Sequence, residues 1–183
     1  IDRRLRRERE RSDLFRRVGT GEGLHLPVHY KFLRTALKAA RLYERGYRNY
    51  ADIQVTRFTH ALKDWPLPLD GFRILQLSDL HIDLDPALLP VICRQVAKLD
   101  YEMAVMTGDF VESARTGHAT AHADLAQILG NIGEPPFGRF GVLGNHDSLQ
   151  LGATLEDMGL PILVNEARVL GSGPSAFALA GVD

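Results

Sequence analysis

Residues 73–81 read Arg73-Ile74-Leu75-Gln76-Leu77-Ser78-Asp79-Leu80-His81. An apolar, strand-like run ends there in a carboxylate and an imidazole two residues apart. The arrangement returns twice. Met103-Ala104-Val105-Met106-Thr107 runs into Gly108-Asp109, and Phe140-Gly141-Val142-Leu143 runs into Gly144-Asn145-His146-Asp147. Stretches near 86–98, 117–130 and 149–157 carry helical patterning, while Pro161-Ile162-Leu163-Val164 and a run from about 176 read as further strands. Strands alternating with helices predict an α/β fold with a largely parallel sheet. Ligands of such sheets gather at the carboxyl ends of the strands, where all three polar runs fall.

In a strand, side chains at i and i+2 share a face, roughly 6.6 Å apart at Cα. Asp79 and His81 are therefore predicted to converge on one cation while Leu80 faces the core. The carboxylate suits a hard divalent ion, and the imidazole moves the preference toward Mn, Fe or Zn. Gly108 lets the chain approach closely before Asp109, and Gly144 precedes Asn145 in the same way. Singly, each motif has an ordinary reading: Asp-x-His as a capped turn, Gly-Asp as a loop, Asn-His-Asp as a turn. Together, in order and each after a strand, they point to a two-metal phosphoester hydrolase. In such a site two cations clamp the attacking and leaving oxygens and generate hydroxide near neutral pH.

The remaining histidines lack that context. His118 and His122 stand four apart, spaced as a zinc pair on one helix face; an exposed pair at a helix start is the simpler reading. His25, His29 and His60 have no partner pattern, and Asp83 and Asp85 read as solvated residues capping the helix that follows.

With 183 residues, 45% hydrophobic and 25% charged, the chain can bury one sizeable core and carry an appendage. A single cysteine, Cys93, excludes an intrachain disulfide and suits a reducing, cytoplasmic compartment. No apolar run approaches the roughly 20 residues that span a bilayer. The chain starts at Ile1 and ends in the strand-like Phe177-Ala178-Leu179-Ala180-Gly181-Val182-Asp183, so it reads as a fragment.

The net charge of −1 conceals two halves: residues 1–50 hold 14 Lys and Arg against 6 Asp and Glu (+8), residues 51–183 hold 8 against 17 (−9). We therefore expect a basic helical N-terminal arm, 1–50, and a catalytic body, 51–183. Residues 1–17 are charge-dense and Gly19, Gly21 and Gly23 read as a linker. Residues 28–48 are predicted to form one helix with Phe32, Leu33, Ala36, Ala40, Tyr43 and Tyr47 on its apolar side. On the other side Lys31, Arg34, Lys38, Arg41, Arg45 and Arg48 fall in a stripe about 100° wide. Ile53-Gln54-Val55-Thr56-Arg57-Phe58-Thr59 alternates at period two and reads as a strand; Lys63 to Gly71 reads as a loop because of Pro66, Pro68 and Asp70-Gly71.

The basic stripe admits three readings: a solvated face or one docked on the acidic body, adsorption to an anionic membrane surface, and contact with a nucleic-acid backbone. The −9 of the body argues against nucleic acid.

Ser78-Asp79-Leu80-His81, Gly108-Asp109-Phe110-Val111-Glu112 and Gly144-Asn145-His146-Asp147 resemble the first three motifs of the calcineurin-like metallophosphoesterases. Asp70-Gly71-Phe72-Arg73-Ile74 and Ala180-Gly181-Val182-Asp183 are similar to a membrane-associated branch that includes bacterial UDP-2,3-diacylglucosamine pyrophosphatases. The resemblance covers about residues 50–183. It implies two packed sheets flanked by helices and two divalent metal ions. By it, Asp79 and His81 would bind the first metal, Asp109 would bridge both and Asn145 would bind the second. His146 would face the phosphoryl group, stabilising its charge or protonating the leaving oxygen. A carboxylate would orient it: Glu112, three residues after the bridging Asp and one methylene longer than the usual Asp, or Asp147. The family pattern continues with a later His, a Gly-His and a Gly-His-x-His run, which this sequence does not reach, so the literal fragment is expected to bind metal weakly and be nearly inactive. The substrate expected of the intact protein is a phosphodiester or pyrophosphate, handled in the cytoplasm at the inner face of the membrane. Alternatives are a nuclease or nucleotide phosphodiesterase, and a non-catalytic membrane-surface or interaction module.

Overall fold

A computed structural model describes residues 28–112 and 118–182, with the backbone alone at 28–31 and 118–120. The expectations for 1–17 and for Gly19, Gly21 and Gly23 lie outside the described residues, as do the side chains of His25, His29, Lys31 and His118. The chain divides into two compact units, one up to Gln54 and one from Val55.

The first unit holds two helices, α1 (Val28–Ala39) and α2 (Tyr43–Ala51), where one had been expected over 28–48. The break is a helix stop made without glycine. Arg41 takes φ +57°. The Leu42 amide then donates to Leu37 O at 2.9 Å and the Arg41 amide to Lys38 O at 3.0 Å. That bonding closes a helix C-terminus in the Schellman manner. The basic residues are consequently split between α1, the joint and α2 instead of forming one stripe. The strand expected over 53–59 is also absent: residues 52–62 have no regular structure, and Phe58 and Leu62 are exposed. Among the described residues no strand lies alongside this stretch to form a ladder with it, and alternation alone does not make a strand.

The second unit is built on a parallel sheet of three strands, β1 (Ile74–Leu77), β2 (Met103–Met106) and β3 (Arg139–Gly141), in the order β1-β2-β3. In register, Leu77 faces Met106 across β1–β2 and Met106 faces Gly141 across β2–β3. β2 is buried almost throughout, as its unbroken apolar sequence requires in a sheet covered on both sides. The connections carry helices α3 (Leu89–Val96), α4 (His118–Ile132) and α5 (Leu149–Asp157). Ser148 starts α5 by accepting the Leu151 amide at 3.1 Å.

Pro161 to Val164 forms no strand. Ile162 makes a single parallel bridge to Gly141, and Pro161 has no amide with which to extend the ladder. A second sheet pairs β4 (Glu166–Leu170) antiparallel with β5 (Phe177–Gly181), and β4 has no counterpart in the sequence expectations. Its residues pack on the first sheet: Met103, Phe140 and Leu163 form a buried cluster that Leu170, Phe177 and Leu179 cover. Two sheets face each other, with α3 and α4 packed together and contributing the buried Leu89, Ile92, Val96, Leu125, Ile128 and Leu129. Phe72, Phe137 and Phe177 meet edge-on or tilted, with centroids 4.9 to 5.8 Å apart, so aromatic packing seals the sandwich.

Candidate active site

All three sequence motifs arrive at the carboxyl edge of the parallel sheet. Asp79 and His81 reach it differently from the expectation. β1 ends at Leu77, and both residues adopt left-handed backbone, φ +53° and +38°, so they lie beyond the strand and no strand alternation brings them together. What holds these kinks is pairing with the loop after β2. The Asp79 amide donates to Gly108 O (3.0 Å), His81 to Asp109 O (3.1 Å) and Ile82 to Phe110 O (3.1 Å). Ile82 and Phe110 anchor the two loops in the core, each 1% exposed.

The loop after β2 is locked in turn to the loop after β3. Gly108, at φ +91°, and Gly144 touch backbone to backbone; a Cβ on Gly108 would fall 2.6 Å from Gly144 Cα, and one on Gly144 would fall 2.7 Å from Asp109 Cγ. No other residue fits either position. The charge at this crossing is Asp147, 4% exposed. Its Oδ2 accepts the amides of Asp109 (2.7 Å) and Gly144 (2.8 Å), and its Oδ1 accepts that of Phe110 (2.9 Å). Burial pushes the Asp147 carboxyl above its ordinary value, while backbone hydrogen bonds from Gly144, Phe110, Asp109 and Val111 pull it down. One buried carboxylate thus holds both loops in register.

These locks set the candidate ligand groups. Asp79, His81 and Asp109 offer ligand atoms that all lie within 4.8 Å of one another. Asp79 is exposed and accepts the Ser78 hydroxyl. Asp109 Oδ1 accepts the His146 amide at 2.9 Å, which ties a would-be ligand to the backbone of the neighbouring histidine. The His81 and His146 rings stand edge to face, 5.1 Å between centroids. Asn145 lies exposed on the same turn.

Of the two carboxylates expected beside His146, Asp147 serves the backbone amides above. Glu112 lies close by: its Oε2 is 3.8 Å from His146 Nδ1 and 3.1 Å from His81 Nδ1, and its carbonyl oxygen is 2.8 Å from His146 Nδ1. Asp83 accepts the Glu112 amide at 2.7 Å, so it ties down the loop after β2; Asp85 caps a following turn, through the Ala87 amide. The Asp83 contact and the Asp147 lock were beyond sequence reasoning, because the amides they accept from the loop after β2 lie 29 to 38 residues away.

The donor set of two carboxylates and an imidazole fits a divalent cation of the Mn, Fe or Zn kind. The comparisons with known proteins agree with the geometry. The Calcineurin-like phosphoesterase family profile matches residues 72–173, which include all three motifs. The chain is 35% identical to the UDP-2,3-diacylglucosamine pyrophosphatase LpxG of Chlamydia muridarum over 120 residues, 62% of this chain and 35% of that protein. It is 32% identical to LpxG of Chlamydia trachomatis over 155 residues, 81% of this chain and 44% of that protein. With the metallophosphoesterase YkuE of Bacillus subtilis the identity is 29% over 107 residues, 56% of this chain and 36% of that protein. The chain therefore spans between about a third and a half of the length of these relatives. By its profile, its motifs and the loops that bring them together, the chain belongs to the calcineurin-like phosphoesterases.

Proposed function

We propose that this chain carries active-site residues of a metal-dependent phosphoester hydrolase acting on a phosphodiester or pyrophosphate. The observation that carries the reading is the convergence of Asp79, His81 and Asp109 from two loops, with His146 beside them. Asp79, His81 and Asp109 would hold divalent cations, with Asn145 as a further oxygen donor. When bound, such cations neutralise phosphoryl oxygens and make water nucleophilic near neutral pH. His146 directs its chemistry through one nitrogen. With Nδ1–H given to the Glu112 carbonyl, protons enter and leave at Nε2, and in the charged ring that Nε2–H serves the leaving oxygen. The names of the two LpxG relatives favour a UDP-2,3-diacylglucosamine-like pyrophosphate as substrate.

The test is hydrolysis of bis(p-nitrophenyl) phosphate and of a UDP-linked pyrophosphate by the protein in its native reading frame, with Mn, Fe or Zn supplied in turn. We expect chelation to abolish turnover and Asp109→Asn to lower kcat by about a thousandfold. Turnover indifferent to both overturns the reading.

The helical unit supports a second element of function. Phe32, Leu33, Leu42 and Tyr50 are half or more exposed beside Arg34, Lys38, Arg41, Arg45 and Arg48. The Arg34 and Lys38 cations lie 5.4 and 5.1 Å from the centre of the Tyr43 ring. Among the described residues no helix is long and apolar enough to cross a membrane. Apolar side chains among cations suit adsorption to an anionic lipid surface, and we place the enzyme peripherally at the cytoplasmic face of the membrane. Charge reversal at Arg34, Lys38 and Arg41 should weaken co-sedimentation with phosphatidylglycerol vesicles by at least about a hundredfold. Unchanged binding sinks the lipid reading. Vesicle binding without metal-dependent turnover would leave a non-catalytic surface module.

A further inference from the structure

His81 and His146 turn their Nδ1 atoms toward the same residue, and Glu112 meets the two by different chemistry. His146 Nδ1 is 2.8 Å from the main-chain oxygen of Glu112, a partner that any residue at 112 would provide. Its distance to the Glu112 carboxylate is longer, 3.8 Å. His81 Nδ1 is buried and has no hydrogen bond, yet Glu112 Oε2 stands 3.1 Å away, off the direction of the ring N–H. A buried ring nitrogen left unpaired is costly, and the half-exposed Glu112 carboxylate stands within hydrogen-bond distance of it. The backbone under that side chain is fixed, because the Glu112 amide donates to Asp83.

We propose that Glu112 is a positioning residue for His81, accepting the Nδ1–H of that ring through its carboxylate, while its carbonyl alone positions His146. With Nδ1 so engaged, Nε2 is the His81 nitrogen offered to a cation alongside Asp79 and Asp109. Carboxylate-to-histidine contacts of this kind fix the tautomer and strengthen the ring as a ligand. The inference rests on the metal-site reading above only where it concerns affinity. The tautomer assignment stands without a metal.

Long-range imidazole nitrogen spectra of the metal-free chain decide it. In the wild type both rings should be Nδ1–H tautomers. In Glu112→Ala, His81 should move to the Nε2–H form that a free imidazole prefers, and His146 should stay. Glu112→Gln should restore His81, because a carboxamide oxygen still accepts, and amide spectra of both variants report that the fold is kept. A wild-type His81 in the Nε2–H form overturns the proposal, as does a Glu112→Ala variant in which His146 changes and His81 does not. Calorimetric titration with Mn²⁺ gives the second arm: Glu112→Ala should bind about 10- to 100-fold more weakly, with Glu112→Gln between it and the wild type. If the wild-type chain binds no Mn²⁺, the metal-site reading fails while the nitrogen spectra still judge Glu112.

Discussion

Left-handed backbone occurs in both units of the described chain, and it is maintained in opposite ways. In the body, Asp79, His81, Gly108 and Asp109 all have positive φ, and each kink is bonded to another loop: Asp79 to Gly108, His81 to Asp109, and Asp109 to Asp147. In the helical unit, Arg41 has positive φ and its bonds return to its own helix, at Leu37 and Lys38. Beneath the first set lie Ile82 and Phe110, fully buried; α2 buries no residue at all. Strain held by distant partners is a shared property of several segments, whereas strain held within one turn is private to it. A substitution in the first region should therefore spread, and one in the second should stay where it is made.

The hardest blow to the body is Gly108→Ala. It combines a disfavoured φ with a Cβ set against the backbone of Gly144 and Leu143, neither of which can rotate away. We expect a loss of about 4 kcal/mol in urea unfolding. A loss below about 1 kcal/mol would mean that the two loops do not meet as described. Asp147→Ala comes next: it strands the amides of Asp109, Phe110 and Gly144 together and should cost about 3 kcal/mol. Because those amides set the backbone of the loops that carry the proposed metal ligands, Mn²⁺ affinity should fall with stability, although Asp147 is not among those ligands. The helical unit supplies the contrast. Arg41→Gly removes a side chain from a position that glycine fills without penalty, so it should stabilise α1 and α2 by about 0.5–1 kcal/mol and leave metal binding unchanged. Loss of helicity in its circular dichroism would show that the Arg41 side chain, and not its backbone, makes the joint.

The same contrast explains what could be read from the sequence. The strand–helix alternation and the three motifs were legible, since apolar runs of four or five residues ending in Ser-Asp, Gly-Asp or Gly-Asn leave few placements in a parallel sheet. The kinks at Asp79 and His81 were not, because their cause is Gly108 and Asp109, some 28 residues on. Asp147 reads like any polar residue of a turn, and only the fold reveals the amides that converge on it. At Arg41 the failure has a different origin. The usual signal of a helix stop is glycine, and an arginine at that position is invisible to periodicity, so 28–48 looked continuous. Residues 53–59 carry strand alternation but pair with no strand among the described residues, and β4 was passed over because its residues, exposed from Glu166 to Val169, lack the buried face that alternation detects.

The body also contains charge that is not locked, and this gives the finest test of the comparison. Arg73 forks onto Glu102, with Nη2 2.8 Å from Oε1, and reaches Asp100 at 3.6 Å. Hydrogen bonding by Arg73 holds the Glu102 carboxyl below the usual value. A carboxylate depressed in the folded state contributes stability above its unfolded value and loses it as the pH falls through the folded one. Arg73→Met should therefore lower Tm at neutral pH and flatten the decline on acidification, the two proteins converging once Glu102 is protonated in both. The effect should be smaller than those of the three substitutions above, since Arg73 is 55% exposed and solvent screens the pair. A loss at neutral pH as large as that of Asp147→Ala would show that the whole body, not only the buried crossing of its loops, transmits local damage. A small loss at neutral pH that vanishes on acidification would place the body's fragility at Gly108, Gly144 and Asp147.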